Sequence, residues 1–185
     1  MVIAKNLTLE ELQDGLEDIK QSPKAEGTVK MIVRRPDTGE REVVDEGQLD
    51  LAEGLVGDNW GTRGSSRSED GSAHPDMQLT LMNTRVIDLI AQDKERWQLA
   101  GDQFFVDLDL SEENLPAGTR IAFGTAVIEA TDQPHTACKK FVARFGVNAL
   151  KFLNTAEGKA LQLRGINCKV VEPGVIRVGD MARKL

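Results

Sequence analysis

The chain has 185 residues, 40% of them hydrophobic, and its 23 basic and 30 acidic side chains leave a net charge of −7. That length buries a core without a disulfide or metal staple, and the acidic balance disfavours a duplex-binding surface, which depends on neutralising phosphate. No apolar run approaches the roughly 20 residues that cross a bilayer. The amino terminus turns polar at once, unlike a secretory signal, and two cysteines without framework spacing fit a reducing cytoplasm.

Taken in chain order, "TLEELQDGLEDIKQ" opens with Thr8 and Glu11 at capping-box spacing and predicts one amphipathic helix with Leu9, Leu12, Leu16 and Ile19 along its inner side. "TVKMIVRRPDTGEREVV" predicts two strands around a Pro-Asp-Thr-Gly turn. From Gly54 to Pro75 the sequence is rich in glycine and serine without an apolar period, which predicts a long and therefore functional or disordered loop. "MQLTLM" predicts a short strand, and "NTRVIDLIAQDKERW" a helix capped by Asn83. "FFVDLDL", "TRIAFG" and "TAVIEAT" are further strands. "TACKKFVARFG" is a short helix closed by Gly146, and "NALKFLN" another. "INCKVVEPGVIRVGD" ends the pattern as two strands joined at Pro173-Gly174. About eight short strands and a few short helices, with no internal repeat or composition break, predict a single, mostly β, barrel-like domain spanning 1–185.

The chemistry concentrates in "TDQPHTACKKF", residues 131–141. Pro134 forces extended geometry on the residue before it, so a helix starts only afterwards. Thr136 reads as the N-cap, which places Cys138 in the first turn, near unpaired N–H groups and the positive end of the helix dipole. Lys139, Lys140 and His135 surround it. All favour the thiolate, the form that attacks electrophiles or binds soft metals. A buried cysteine packed as a small hydrophobe is the bland alternative, and it is the reading for Cys168, which shares one face of a strand with Ile166 and Val170. A Cys138–Cys168 disulfide is left open by the sequence. A Cys-His hydrolase would need an orienting group for His135, with Asp132 or Glu129 as candidates. Zinc-finger spacing, a phosphate-binding lysine loop and a dinucleotide glycine motif are all missing from the sequence.

Charge is uneven. The stretch from Pro134 to Lys169 has seven basic residues, Lys139, Lys140 and Arg164 among them, against the single acid Glu157. Such asymmetry suits a small anionic ligand or an acidic partner, or marks solvated helix faces.

Read together, "EGLVGDNW", "MQLTLMN", "GTRIAFGTAVIEATDQPHTACKKF" and "RGINCKVVEPGVIRVGD" resemble the MOSC domain family, the module at the carboxyl end of molybdenum-cofactor sulfurases that also occurs as small standalone bacterial proteins. The likeness is clearest over 49–182, with 1–48 as an amino-terminal helix and hairpin extension. It implies a strand-rich barrel-like fold with Cys138 as the family's characteristic cysteine. It also implies sulfur handling or a molybdopterin-type cofactor whose molybdenum the cysteine ligates, and in some members reduction of N-hydroxylated compounds. On that reading Cys138 and His135 are the catalytic candidates. Arg63, Arg67, His74, Lys139, Lys140 and Arg164 are the candidates to bind the anionic cofactor, and an electron-donor or sulfur-donor protein is the expected partner. A non-catalytic carrier and a metal-free thiol-redox protein are the alternatives. The family is also linked to pyridoxal phosphate, but no lysine here has a Schiff-base context. Ala137, His74-Pro75-Asp76 and Asp107 stand where many relatives carry proline, His-Gly-Gly and asparagine.

Overall fold

The computed structural model describes residues 4–185. Its amino-terminal helix is broken at Gly15 into α1 (Leu9–Asp14) and α2 (Leu16–Lys20). The capping box is present: Thr8 N–H donates to Glu11 Oε2 at 2.7 Å, and Glu11 N–H to Thr8 Oγ1 at 3.2 Å. Leu12 and Ile19 are buried, so the break leaves the apolar stripe facing inward. The strand β1 (Glu26–Arg34) then turns back into β2 (Glu42–Val44), as the Pro-Asp-Thr-Gly turn predicts. Two short strands follow that the sequence did not announce, β3 (Glu46–Asp50) and β4 (Gly54–Leu55). Their apolar positions are too few to show a period.

The glycine-rich stretch is ordered rather than a plain loop. It holds α3 (Trp60–Arg63), anchored by the buried Trp60, and a 3-10 turn at Pro75–Met77. Next come β5 (Leu79–Asn83) and α4 (Thr84–Ala91), where Asn83 Oδ1 accepts the Arg85 N–H at 2.8 Å as expected of a cap. The helix predicted to reach Trp97 stops at Gln92, which takes a left-handed conformation, and a 3-10 segment runs over Lys94–Ala100. The rest comprises β6 (Phe104–Val106), β7 (Arg120–Phe123), β8 (Ala126–Ala130), α5 (Lys139–Phe145), α6 (Val147–Leu153), α7 (Ala156–Ala160), β9 (Ile166–Glu172), β10 (Gly174–Arg177) and β11 (Met181–Lys184).

Seven strands close into a barrel in the order β1–β6–β5–β9–β8–β7–β11, with β11 pairing back onto β1. The pairing of β5 with β6 is parallel and its neighbours are antiparallel, so the barrel is mixed. β2 hangs from β1, while β10, β3 and β4 form a small separate sheet. Both faces of β5 and β6 are buried, which explains why they read as continuous apolar runs rather than alternating ones. Leu81, Phe104 and Val106 point into the barrel core with Phe123, Ile128 and Cys168. Met82 and Phe105 point outward into a second core with Val86, Ile90, Trp97, Phe141, Phe145 and Phe152. Helices therefore cover the β5–β6 side, and the chain crosses from barrel to helices at residues 131–138. That crossing carries the candidate site.

Candidate functional site

Residues 131–138 leave β8 as an extended strap tied down at successive points. Thr131 N–H donates to Asn167 O and its hydroxyl to Asp76 O at 2.6 Å. Asn167 Nδ2 donates to Gln133 O, and Arg67 Nη1 donates to Pro134 O at 2.7 Å. Extended geometry persists past Thr136, so the N-cap is Cys138 itself (φ −105°, ψ 174°) and α5 begins at Lys139. This corrects the expected cap by two residues. The Cys138 carbonyl accepts from the Phe141 and Val142 N–H groups at 3.0 and 3.3 Å.

The correction strengthens the case for an ionised thiol. An N-cap side chain occupies the place where Ser, Thr or Asp oxygens meet the N–H groups of the first turn. Cys138 is exposed. Its partial burial opposes ionisation, but the Phe141 and Lys140 N–H groups and the charge of Arg164 outweigh it and lower the thiol pKa. The thiol makes no formal cap hydrogen bond; the N–H groups act on its charge. Cys168 is its opposite. It is fully buried between Leu79 and Ala130, and burial drives its thiol far above the ordinary value. Both cysteines are free.

His135 does not meet either expected carboxylate. Asp132 is bound by the neighbouring Gln133, and Glu129 pairs with Arg120 and Lys169. The group that orients His135 is Asp102, fully buried, with Oδ1 2.7 Å from His135 Nε2. Its other oxygen accepts from Arg164 Nη1 at 2.6 Å. Burial alone would raise the Asp102 carboxyl, but Arg164 and His135 bring it down to about 2. For His135, burial and then repulsion from Arg164 outweigh the pull of Asp102, so its pKa is lowered and the ring is neutral near pH 7. Arg164 also lies over the Phe141 ring, with Cζ 5.0 Å from the centroid, and so joins this buried pair to the helix that starts at Cys138.

Gly165 makes room for the arrangement. At φ +112° it occupies a conformation closed to most side chains, and a Cβ there would lie 2.2 Å from Leu81 O and 3.2 Å from His135 Cδ2. Gly165→Ala is expected to lower stability by about 2–4 kcal/mol, through combined backbone strain and clash. Denaturant unfolding measures this, and a change below about 0.5 kcal/mol, the range of neutral surface substitutions, contradicts it.

Four arginines cap the end of the Lys94–Ala100 segment at successive carbonyls. Arg41 Nε donates to Gln98 O, Arg144 Nη1 to Leu99 O, Arg164 Nη2 to Ala100 O and Arg35 Nη1 to Gly101 O. Arg35 also grips the buried Asp58 with two nitrogens, at 2.9 and 2.7 Å. Arg63 stands beside this group. Loss of hydration and then repulsion from Arg35 lower its pKa, and burial, Arg144 and Arg35 do the same to Arg41. Five guanidinium groups thus share the region with two carboxylates, Asp58 and Asp102, and positive charge is left over for an anion.

The expected binding residues therefore separate. Arg63 joins the arginine group, and Arg164 is buried beneath it as the partner of Asp102. Lys139 and Lys140 are exposed beside Cys138. Arg67 holds the strap at Pro134. His74 caps the Pro75–Met77 turn, its Nδ1 accepting the Asp76 N–H at 3.2 Å. Sequence reasoning missed Asp102, Arg35 and Arg41. The one signal for Asp102 is its place in "AGDQFF", a carboxylate between a chain-breaking glycine and an apolar strand. Among the described residues, no group of three or more His, Cys, Asp or Glu side chains is placed to hold a metal ion by itself. No helix of the described residues is long and apolar enough to cross a membrane.

Comparison with known structures agrees with the barrel. The YuaD protein of Bacillus subtilis superposes with a TM-score of 0.62 at 15% identity, over 85% of this chain and 94% of that one. YiiM from Escherichia coli gives 0.53 at 20% identity, over 85% and 69%. At such identities the likeness is one of fold. No curated protein matches the sequence. The model of the MOSC domain, however, matches residues 68–183, which include the strap, Cys138 and every barrel strand from β5 onward. The chain belongs to the MOSC domain family.

Proposed function

We propose that Cys138 works as a thiolate that ligates the metal of a molybdenum cofactor, in a reductase acting on N-hydroxylated compounds. The observation that carries this reading is the exposed Cys138 sulfur at a helix N-cap, with backbone N–H groups and Arg164 favouring its ionised form. A thiolate is the soft donor such a metal takes. Guanidinium forks match phosphate geometry, so Arg41, Arg63 and Arg144 are the groups that would hold the anionic end of the cofactor. When bound, the cofactor would supply the redox chemistry, and the protein the sulfur ligand and the anion grip. His135 would be the group that exchanges a proton with substrate, a role supported by its fixed orientation against Asp102. Electrons come from a partner protein, since the sequence has no flavin or iron–sulfur signature.

A second reading is a carrier in which the Cys138 thiolate attacks the outer (sulfane) sulfur of a donor protein's persulfide, the donor thiolate leaves, and Cys138 holds that sulfur as its own persulfide and passes it on. It is favoured by the position of the thiol on the surface at the end of an extended strap, open to another protein. Elemental analysis and intact mass separate the two on protein purified from a molybdenum-competent host. Stoichiometric molybdenum that disappears in Cys138→Ser supports the metal enzyme. An added sulfur atom on Cys138 without molybdenum supports the carrier, and a wild-type chain that shows neither molybdenum nor added sulfur overturns both readings.

A further inference from the structure

Next to His135 and Arg164 lies a cleft of 520 Å³ that Cys138 does not line. Its walls come from the strap, from α6 and α7, and from the turn that leads into β9. Leu153 and Ile166 give it an apolar side. Two polar groups of the lining residues keep hydrogen-bonding capacity that the described protein does not use. Arg164 gives Nη1 to Asp102 and Nη2 to Ala100 O, yet its buried Nε–H has no partner. Gln162 Oε1 is likewise buried without a donor. Buried polar atoms are ordinarily paired, so two orphans beside one cleft call for an explanation. His135 adds a third group. A carboxylate such as Asp102 only accepts, so the ring proton of the neutral imidazole sits on Nε2 and Nδ1 keeps its lone pair. Gln162 moreover holds φ at 49°, a left-handed conformation that non-glycine residues seldom adopt and that concentrates at binding sites.

The buried Arg164 Nε–H donor and two acceptors are unpaired, and Gln162 Nε2 adds a second donor without a protein partner among the described residues. We propose that this cleft binds a small neutral molecule through an amide or ureide group, whose N–H groups donate to Gln162 Oε1 and His135 Nδ1 and whose carbonyl oxygen accepts from Arg164 Nε–H. A carboxylate ligand matches poorly, because it offers only acceptors to two acceptor atoms, and Lys159, the one free cation of the lining among the described residues, is outnumbered by Glu112 and Asp132, with Arg164 already paired to Asp102. A simple cation leaves the Arg164 Nε–H unpaired and meets the guanidinium charge. The cleft shares His135 with the proposed reductase but not Cys138, whose sulfur contributes no part of its wall.

Phenylurea is the probe and phenylacetate its charged counterpart, each titrated into the full chain while the ring signals of the two histidines are followed by NMR. Phenylurea is expected to shift His135 saturably and leave His74 in place, with phenylacetate weaker by about tenfold or more, the size of a lost buried hydrogen bond. Gln162→Gly removes the acceptor and relaxes the backbone, so it folds as the parent does. It is expected to weaken phenylurea by about tenfold as well. Cys138→Ser should bind phenylurea like the wild type, which keeps this test apart from that of the cysteine. No saturable His135 shift, equal binding of phenylacetate, or unchanged affinity in a folded Gln162→Gly overturns the proposal.

Discussion

Asp102→Ala is expected to cost about 3–5 kcal/mol, because it strands the Arg164 guanidinium in the interior without its counter-charge. For a chain of this size that is a fall in melting temperature of roughly 10 °C or more. Burial is the cause: Asp102 is fully enclosed, Arg164 is one-tenth exposed, and the 2.6 Å contact between them replaces the water both have lost. The pair as a whole need not be stabilising, since desolvation can cancel the attraction. The double variant Asp102→Ala, Arg164→Met should therefore recover a large part of the loss, and a double-mutant cycle measures the coupling. A single-variant loss under about 1 kcal/mol, the range of exposed ion pairs, contradicts the assignment.

The same groups make stability depend on pH in the acid range. The folded pKa of His135 lies below its ordinary value, so its neutral form contributes stability above that value, and the contribution is lost as pH falls through the lowered one. Asp102 acts in a lower window, with its contribution present above the ordinary carboxyl value of 3.8 and lost as pH falls toward about 2. Both push acid unfolding the same way.

The second large effect separates the two thiols. Iodoacetamide on the native chain should add one label, at Cys138, whereas the unfolded chain should take two. Cys138 is exposed and partly ionised, while Cys168 is sealed in the barrel and its thiol is held protonated. Peptide mass mapping reads the site directly. Labelling of Cys168 at a comparable rate in the native chain would mean that the barrel opens on the timescale of the reaction.

The sequence was most legible where local chemistry decides structure. Thr8 and Glu11, Asn83, Gly146 and the Pro36 turn act through neighbours a few residues away, and the structure places each where the spacing predicts. Cys168 was legible because strand alternation fixes its face. The cap at Cys138 was read two residues early because the ties that keep the strap extended come from Asp76, Arg67 and Asn167, distant in the chain. Asp102 was missed for the same reason, as its partners lie 33 and 62 residues away. The arginine group was hidden because Arg35, Arg41, Arg144 and Arg164 converge on one turn only after the barrel closes.

The rate of Cys138 alkylation as a function of pH bears most directly on the cysteine, since it counts thiolate alone. The midpoint is expected below that of the same cysteine in an unfolded peptide of this sequence, with the signal lost in Cys138→Ser. A midpoint at or above that value would show that the helix terminus and Arg164 do not hold the sulfur ionised, and the chemistry assigned to it would fall.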